Sequence, residues 1–156
     1  MIMDFALLLH HAICGGLAAA GFGVLFNVES RGLSWCAASG ALMLAARTAA
    51  LERGWSMEAA TFVAALAGGI ALLLLPSISC VSRDALHLVG CIPMVPGAFA
   101  TKAILGFFAM TTLHPTAAGE TFLTALDNTL RATFTLGALG TGLAIPTLLL
   151  RLRGVE

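Results

Sequence analysis

Long runs without a charged residue alternate with short polar stretches along this chain. The first run, residues 5–28, contains no Asp, Glu, Lys or Arg, and neither does a later run at residues 59–82. About 20 predominantly apolar residues suffice for a helix to cross the hydrocarbon core of a bilayer. The two runs therefore predict transmembrane helices over residues 5–26 and 59–79. Small residues in the first of them predict a close helix–helix contact, namely Gly15, Gly16, Ala19, Ala20 and Gly23.

The stretch at residues 33–51 is apolar but contains Arg47. Trp35 and Trp55 bracket it, and their spacing along a helix corresponds to about 30 Å, the separation of the two interfacial aromatic belts of a membrane. This predicts a second span, whereas an arrangement with four spans would leave the stretch at the membrane surface. Two interpretations of Arg47 stay open: its side chain extends to the nearer interface, or it faces the interior of the bundle and takes part in transport.

Residues 86–112 predict a span that is interrupted at Pro93, Pro96 and Gly97. Each proline removes a backbone donor and clashes with the preceding turn, while glycine accepts backbone angles that other residues resist. In hydrocarbon, such a break is tolerated only where protein or a water-filled cavity surrounds the freed carbonyl groups. The pattern therefore favours a solute path at the break.

Lys102 is the only formal charge between residues 85 and 119. A helix that begins near Pro96 would direct the positive end of its dipole towards the break, and the lysine would add a full positive charge. We therefore expect the break to suit an anion. The alternative is a proline kink that serves packing, with Lys102 extending to the far interface.

A fifth span is predicted over residues 124–150, and it carries a polar cluster near its start. Asp127 and Arg131 are spaced for a salt bridge on one helix face, and this interpretation is favoured over a proton-carrying role for Asp127. Asn128 is a candidate hydrogen-bonding group for a substrate. The predicted fold class is all-α, with residues 1–156 forming a single integral-membrane domain of five transmembrane helices, the fourth of them interrupted.

Composition agrees with a membrane protein, because 10% of the 156 residues are charged, where soluble domains have about a quarter. Basic residues concentrate on the cytoplasmic side of membrane proteins. With five spans, Arg31, Arg83, Arg151 and Arg153 share one side, which predicts a cytoplasmic C-terminus. No basic run suggests nucleic acid as a partner.

Enzyme and metal signatures are missing from the sequence. There is no nucleophile elbow, no zinc-protease motif and no phosphate-binding loop, so we do not expect an enzyme. Cys80, His87 and Cys91 repeat at a helical spacing but have no fourth ligand nearby. His10 and His11 point about 100° apart on a helix, which favours structural roles. We expect neither a metal nor a cofactor.

Several short stretches of the chain together form a pattern that a known family shares, namely residues 21–28, Arg31 with Leu33, Trp35 with Cys36, residues 60–62, residues 92–97 and residues 137–146. Through them the chain resembles the YjjB-type small subunit of the threonine/serine exporter family over nearly its whole length. The resemblance implies half of a bacterial inner-membrane exporter, with a separate YjjP-type subunit as the other half. It implies export of succinate, whereas single-chain relatives export threonine and serine.

Together these observations predict a subunit that exports small carboxylate metabolites by a secondary mechanism, with a YjjP-like partner, a second copy of itself, or both. Succinate-type dicarboxylates are the predicted substrate, and threonine and serine are the alternative. In this prediction Pro93, Pro96 and Gly97 expose backbone groups, Lys102 attracts the carboxylate, and Asn27 and Asn128 supply neutral hydrogen bonds. A membrane scaffold that transports nothing is the competing interpretation.

Overall fold

The structure, a computed structural model, describes residues 5–74, 81–111 and 115–152, and within these ranges the chain is helical and contains no strand. Two compact units are distinguished: a large unit of residues 1–94 and 138–156, and a small unit of residues 95–137. The helices are α1 (Phe5–Leu25), α2 (Ser30–Glu52), α3 (Met57–Leu74), α4 (Arg83–Cys91), a 3-10 helix (Ile92–Met94), α5 (Gly97–Ala109) and α6 (Pro115–Leu152).

Two of the described helices are long and apolar enough to cross a membrane: α1 and the Ala118–Leu149 part of α6. The stretches Arg83–Met94 and Gly97–Ala109 pass the same test only as a pair, which is either one broken span or a re-entrant loop. The all-helical membrane class is thus confirmed, with two or three candidate spans. The count of five stays a prediction, although the stretch at residues 33–51 does lie within the single helix α2.

The small-residue face predicted on α1 is confirmed, and its partner is α2. Gly15, Ala19 and Gly23 recur every fourth residue, lie on one side of α1, and are all buried. Gly40 of α2 faces them so closely that a Cβ added to it would lie 2.4 Å from the Cβ of Ala19. In lipid, helices are held together by this kind of close packing rather than by hydrophobic burial.

The core of the large unit is built around Met43 of α2, which is 1% exposed. Gly68 of α3 and Gly90 of α4 both lie against its side chain, where a Cβ on either residue would meet the thioether within 3 Å. Helix α4 begins with a capping interaction in which the backbone N–H of Ala85 donates to the hydroxyl of Ser82. The cap stabilises the start of α4, and the two glycines allow α3 and α4 to pack closely against Met43 of α2.

The small unit consists of α5 and the first part of α6. A Cβ on Gly106 of α5 would lie 2.9 Å from the Cβ of Ala125 on α6. The rings of Phe107 and Phe122 meet edge to face, with 6.3 Å between their centroids. Small residues again allow the two helices to approach closely, and an aromatic pair lies beside the contact.

Candidate functional site

The predicted interruption of the fourth segment is confirmed, and its first half belongs to the large unit. Helix α4 ends at Cys91, and the chain tightens into the 3-10 helix Ile92–Met94. Pro93 has no backbone N–H, so it cannot donate to the carbonyl of Val89 as an α-helical residue would. The N–H of Ile92 bonds that carbonyl instead, which is the shorter bond of a 3-10 turn.

The second half of the break, in the small unit, is a three-residue turn centred on Pro96. The N–H of Gly97 donates to the carbonyl of Val95 at 2.8 Å, and Pro96 has φ −79° and ψ 52°. These values correspond to an inverse γ-turn. Helix α5 then begins at Gly97, whose φ is not in the left-handed region. Proline, rather than the conformational freedom of glycine, therefore makes the turn.

Arg47 of α2 contacts the broken helix. Its Nη1 donates to the carbonyl of Met94, the last residue of the 3-10 helix, at 3.2 Å. In a continuous helix that carbonyl would accept from the backbone four residues later, and the break at Val95 and Pro96 intervenes. The side chain of Arg47 thus turns inwards, as in the second of the two interpretations from the sequence, while its part in transport is untested.

Packing of α2 along α4 positions the arginine. Ser39, Met43 and Arg47 recur every fourth residue and so share one face of α2. In that order they contact the carbonyl of Leu86 at 3.1 Å, the thiol of Cys91 at 3.6 Å and the carbonyl of Met94 at 3.2 Å. This row of three contacts, the α2 ladder, fixes the register of α2 and brings its arginine to the break.

The guanidinium of Arg47 is only partly satisfied. Its Nε is buried and has no hydrogen-bond partner among the described residues. Arg47 is also the only charged residue between positions 32 and 51. A buried donor without a partner costs free energy, more so when the group is charged. The unpaired Nε donor of Arg47 is therefore suited to bind an anion.

Glu52, at the end of α2, is a second polar group that sequence reasoning missed. Both of its carboxylate oxygens are buried and have no hydrogen-bond partner in the described part of the chain. No ion pair joins it to Arg47 there. The sequence offers no motif around Glu52, and its position beside Arg53 at a helix end is typical of a solvated interfacial residue.

Lys102, the cation predicted for the site, lies on α5 in the small unit and is exposed. It follows Gly97 by five positions, as the sequence requires, and Pro96 precedes the first turn of the helix. Pro93 lies in the 3-10 helix of the large unit. A role in substrate binding for these four residues stays a prediction.

Asn27 ends α1 and adopts a left-handed backbone conformation with φ 58°. The N–H of Val28 bonds the carbonyl of Gly23, and the N–H of Asn27 bonds the carbonyl of Val24. This is the Schellman pattern, in which asparagine is a common residue at the left-handed position. The backbone geometry of the turn thus accounts for Asn27 structurally, while its proposed contact with a substrate is untested.

The residues of the polar cluster of α6 make contacts within their own helix. The side-chain amide of Asn128 donates to the carbonyl of Thr124 at 2.7 Å. Arg131 Nε and Asp127 Oδ2 form the salt bridge that the sequence predicted, at 2.8 Å, with 52% and 59% of the two side chains exposed. The geometry agrees with the favoured interpretation of Asp127, and proton coupling is untested.

The candidate metal ligands have other contacts or lie outside the described residues. His87 Nε2 is 2.8 Å from the carbonyl of Ala65, and the thiol of Cys91 contacts Met43. Cys80 belongs to the part of the chain that is not described, as does Arg153. Within the described ranges, no three His, Cys, Asp or Glu residues are grouped so as to hold a metal ion.

Comparison with known proteins yields one family. The family model described as "Threonine/Serine exporter, ThrE" matches residues 11–149, from the first half of α1 to near the end of α6. No solved structure matches the chain.

Proposed function

This chain belongs to the threonine/serine exporter family, and from that premise we propose that it is a subunit of a bacterial inner-membrane secondary exporter. Its substrates are small metabolites that carry a carboxylate. A second membrane subunit of the YjjP type completes the transporter, and further copies of this chain are an alternative source of the missing half. The proposal accounts for the apolar helices and for the family match over most of the length.

The observation that carries this proposal is the cation at the interrupted helix. The helix is broken at Val95 and Pro96, and Arg47 donates to the adjacent carbonyl of Met94. A helix that only packs against lipid has no need of such a break or of a charged side chain beside it. Interrupted backbone at membrane depth is tolerated where it lines a cavity or is buried in protein, and intramembrane charges mark solute pathways. Transporters of other folds use discontinuous helices in this way.

Two substrate classes share the required chemistry. The family description supports threonine and serine, whereas the resemblance to YjjB-type subunits supports succinate. Each solute presents at least one carboxylate to a cation, so the proposal names the carboxylate and leaves the two classes to experiment. Lys102, the backbone of Pro93, Pro96 and Gly97, and the amides of Asn27 and Asn128 are the proposed contacts from the sequence.

Topology follows from the same proposal. Five spans with a cytoplasmic C-terminus give the chain an odd number of crossings, which suits an assembly of oppositely oriented halves with the substrate near the midplane. This orientation can be tested by fusing to the C-terminus a reporter protein that is active only in the cytoplasm. An active reporter supports it, and an inactive reporter on a correctly inserted chain contradicts it.

The test of function is efflux of labelled threonine and labelled succinate from cells that express the chain together with a YjjP-type membrane protein. Cells with either subunit alone and cells with neither are the controls. Faster efflux of at least one solute only with both subunits supports the proposal. Equal efflux in all four strains contradicts it, and a lower amount of the second protein in the absence of this chain would then favour the scaffold interpretation.

A further inference from the structure

We propose that Arg47 binds the carboxylate of the transported solute through the edge formed by Nε and Nη2, and that the carbonyl of Met94 holds the guanidinium in position for it. This inference rests on the proposed function. It differs from the sequence-based expectation, in which Lys102 receives the carboxylate.

The hydrogen bonding of the guanidinium leaves its Nε donor unpaired. Arginine carries five N–H donors in a fixed planar fork. Nη1 is bonded to the carbonyl of Met94, whereas Nε is buried without a partner among the described residues. Nε and Nη2 form one edge of the guanidinium, and together they can donate two parallel hydrogen bonds to a carboxylate. A solute carboxylate at this edge would satisfy the donor that the protein leaves unpaired.

Charge balance supports the same assignment. A guanidinium removed from water needs a counter-ion, since the desolvation of a charge otherwise costs several kcal/mol. Glu52 does not supply it: it makes no ion pair with Arg47, and five positions along α2 turn it about 140° around the helix axis. The described part of the chain supplies no carboxylate to Arg47, and an exported carboxylate has the sign that its charge requires.

A purely structural role for Arg47 explains less. A neutral amide side chain could donate to the Met94 carbonyl without the cost of burying a charge. The contact also lies at the end of the α2 ladder, where Ser39 and Met43 already fix the helix against α4. Packing therefore does not require the positive charge of Arg47. A group that binds a ligand does require rigid support, which the α2 ladder provides.

The inference is tested with inverted membrane vesicles that contain this chain and its partner, in which uptake corresponds to export. Unlabelled threonine and threoninamide, or succinate and its diamide, compete for uptake of the labelled acid. In the wild type, we expect the acid to compete at least about tenfold better than its amide, as loss of a charged, paired hydrogen bond implies.

Arg47→Gln should reduce this preference to about unity, and Arg47→Lys should give an intermediate value because lysine keeps the charge without the fork. Arg53→Gln is the matched control: Arg53 caps the C-terminus of the same helix, is exposed, and its side chain donates to the carbonyl of Ala49 within that helix. It should keep the wild-type preference. A structural role would lower the rate of uptake without changing the ratio between acid and amide.

A second measurement uses the wild-type complex and so does not depend on whether the variants fold. Phenylglyoxal modifies accessible arginine side chains, and mass spectrometry reports the modified fraction of Arg47 and of Arg53. The acid should slow modification of Arg47 at least about threefold, the amide should not, and Arg53 should react equally in both. No reaction at Arg47, or no protection by the acid, overturns the inference.

The outcomes separate the inference from the proposed function. If wild-type vesicles take up neither acid, the proposed function fails and the inference fails with it. If they take up an acid while Arg47→Gln keeps the preference for acid over amide, the inference alone is wrong. If Lys102→Gln loses that preference and Arg47→Gln keeps it, Lys102 is the residue that binds the carboxylate.

Discussion

Gly40 of α2 lies directly against Gly15 of α1, so that a Cβ added to Gly40 would stand 2.6 Å from the carbonyl oxygen of Gly15. No side chain fits at that distance without moving one helix away from the other. Because the α2 ladder extends from the same helix, a displacement of α2 would also move Arg47 relative to Met94. The contact between the two glycines therefore supports the candidate site as well as the packing.

We predict that Gly40→Ala destabilises the protein by about 1–3 kcal/mol, the usual cost of overpacking a closely packed contact. Thermal unfolding of the purified protein in detergent measures the change. Gly21→Ala is the matched control, since a Cβ at Gly21 on α1 would meet nothing within 4 Å. It should be neutral or stabilising by up to about 1 kcal/mol, because alanine is the better helix former. Equal unfolding temperatures for the two variants would contradict the close contact.

Ser39 offers a test of the ladder itself. Its buried hydroxyl lies 3.1 Å from the carbonyl of Leu86 on α4 and 3.0 Å from the carbonyl of Cys36 in α2, so its one proton is donated in a hydrogen bond that the two acceptors share. Ser39→Ala should reduce stability by about 1 kcal/mol through loss of this hydrogen bond. Ser34→Ala, at an exposed serine whose hydroxyl bonds only within α2, should change stability by less than about 0.5 kcal/mol. If Ser34→Ala costs as much as Ser39→Ala, the contact with α4 contributes nothing.

The sequence is sufficient to locate the break, but it does not reveal the contact of Arg47 with Met94. A proline lacks a backbone donor whatever the surrounding fold. The interruption near Pro93 and Pro96 is therefore a local property of the sequence, and its prediction is confirmed. The same is true of the small-residue face on α1. Lys102 is a candidate because it is near the break along the chain, and its role in substrate binding is untested.

Arg47 reaches Met94 across 47 positions of sequence. That contact depends on the register of α2 against α4, which is set by packing around Met43 and has no signature in either segment alone. Glu52 was missed for the same reason, because its burial depends on other elements of the fold. Asn27 illustrates the reverse case: the preference of asparagine for left-handed helix ends could have predicted its structural role from the sequence.

Asp127 and Arg131 form an exposed ion pair, and the structure favours a local role for it. Exposed pairs at this spacing contribute about 0.3–0.5 kcal/mol. We therefore predict that Asp127→Asn lowers stability by less than about 1 kcal/mol and leaves the response of vesicle uptake to an imposed pH gradient unchanged. A variant that still transports down a solute gradient but no longer responds to the pH gradient would make Asp127 the proton carrier.

The γ-turn at Pro96 separates the 3-10 helix from α5. Proline at position 96 cannot donate to the carbonyl of Ile92, and its ring opposes a continuous helix through this region. Pro96→Ala restores the missing donor and allows the helix to continue from Met94 into α5. We expect export to fall at least about tenfold, since closing the break removes backbone groups from the solute path.

Stability should not fall with it, because alanine is far better than proline inside a helix. Hydrogen exchange followed by mass spectrometry measures the region directly: peptides that span residues 92–100 should exchange more slowly in the variant than in the wild type. Slower exchange with undiminished export would show that transport does not use the interrupted helix. Such a result would remove the main support for the proposed site, whatever the effect of changing Arg47.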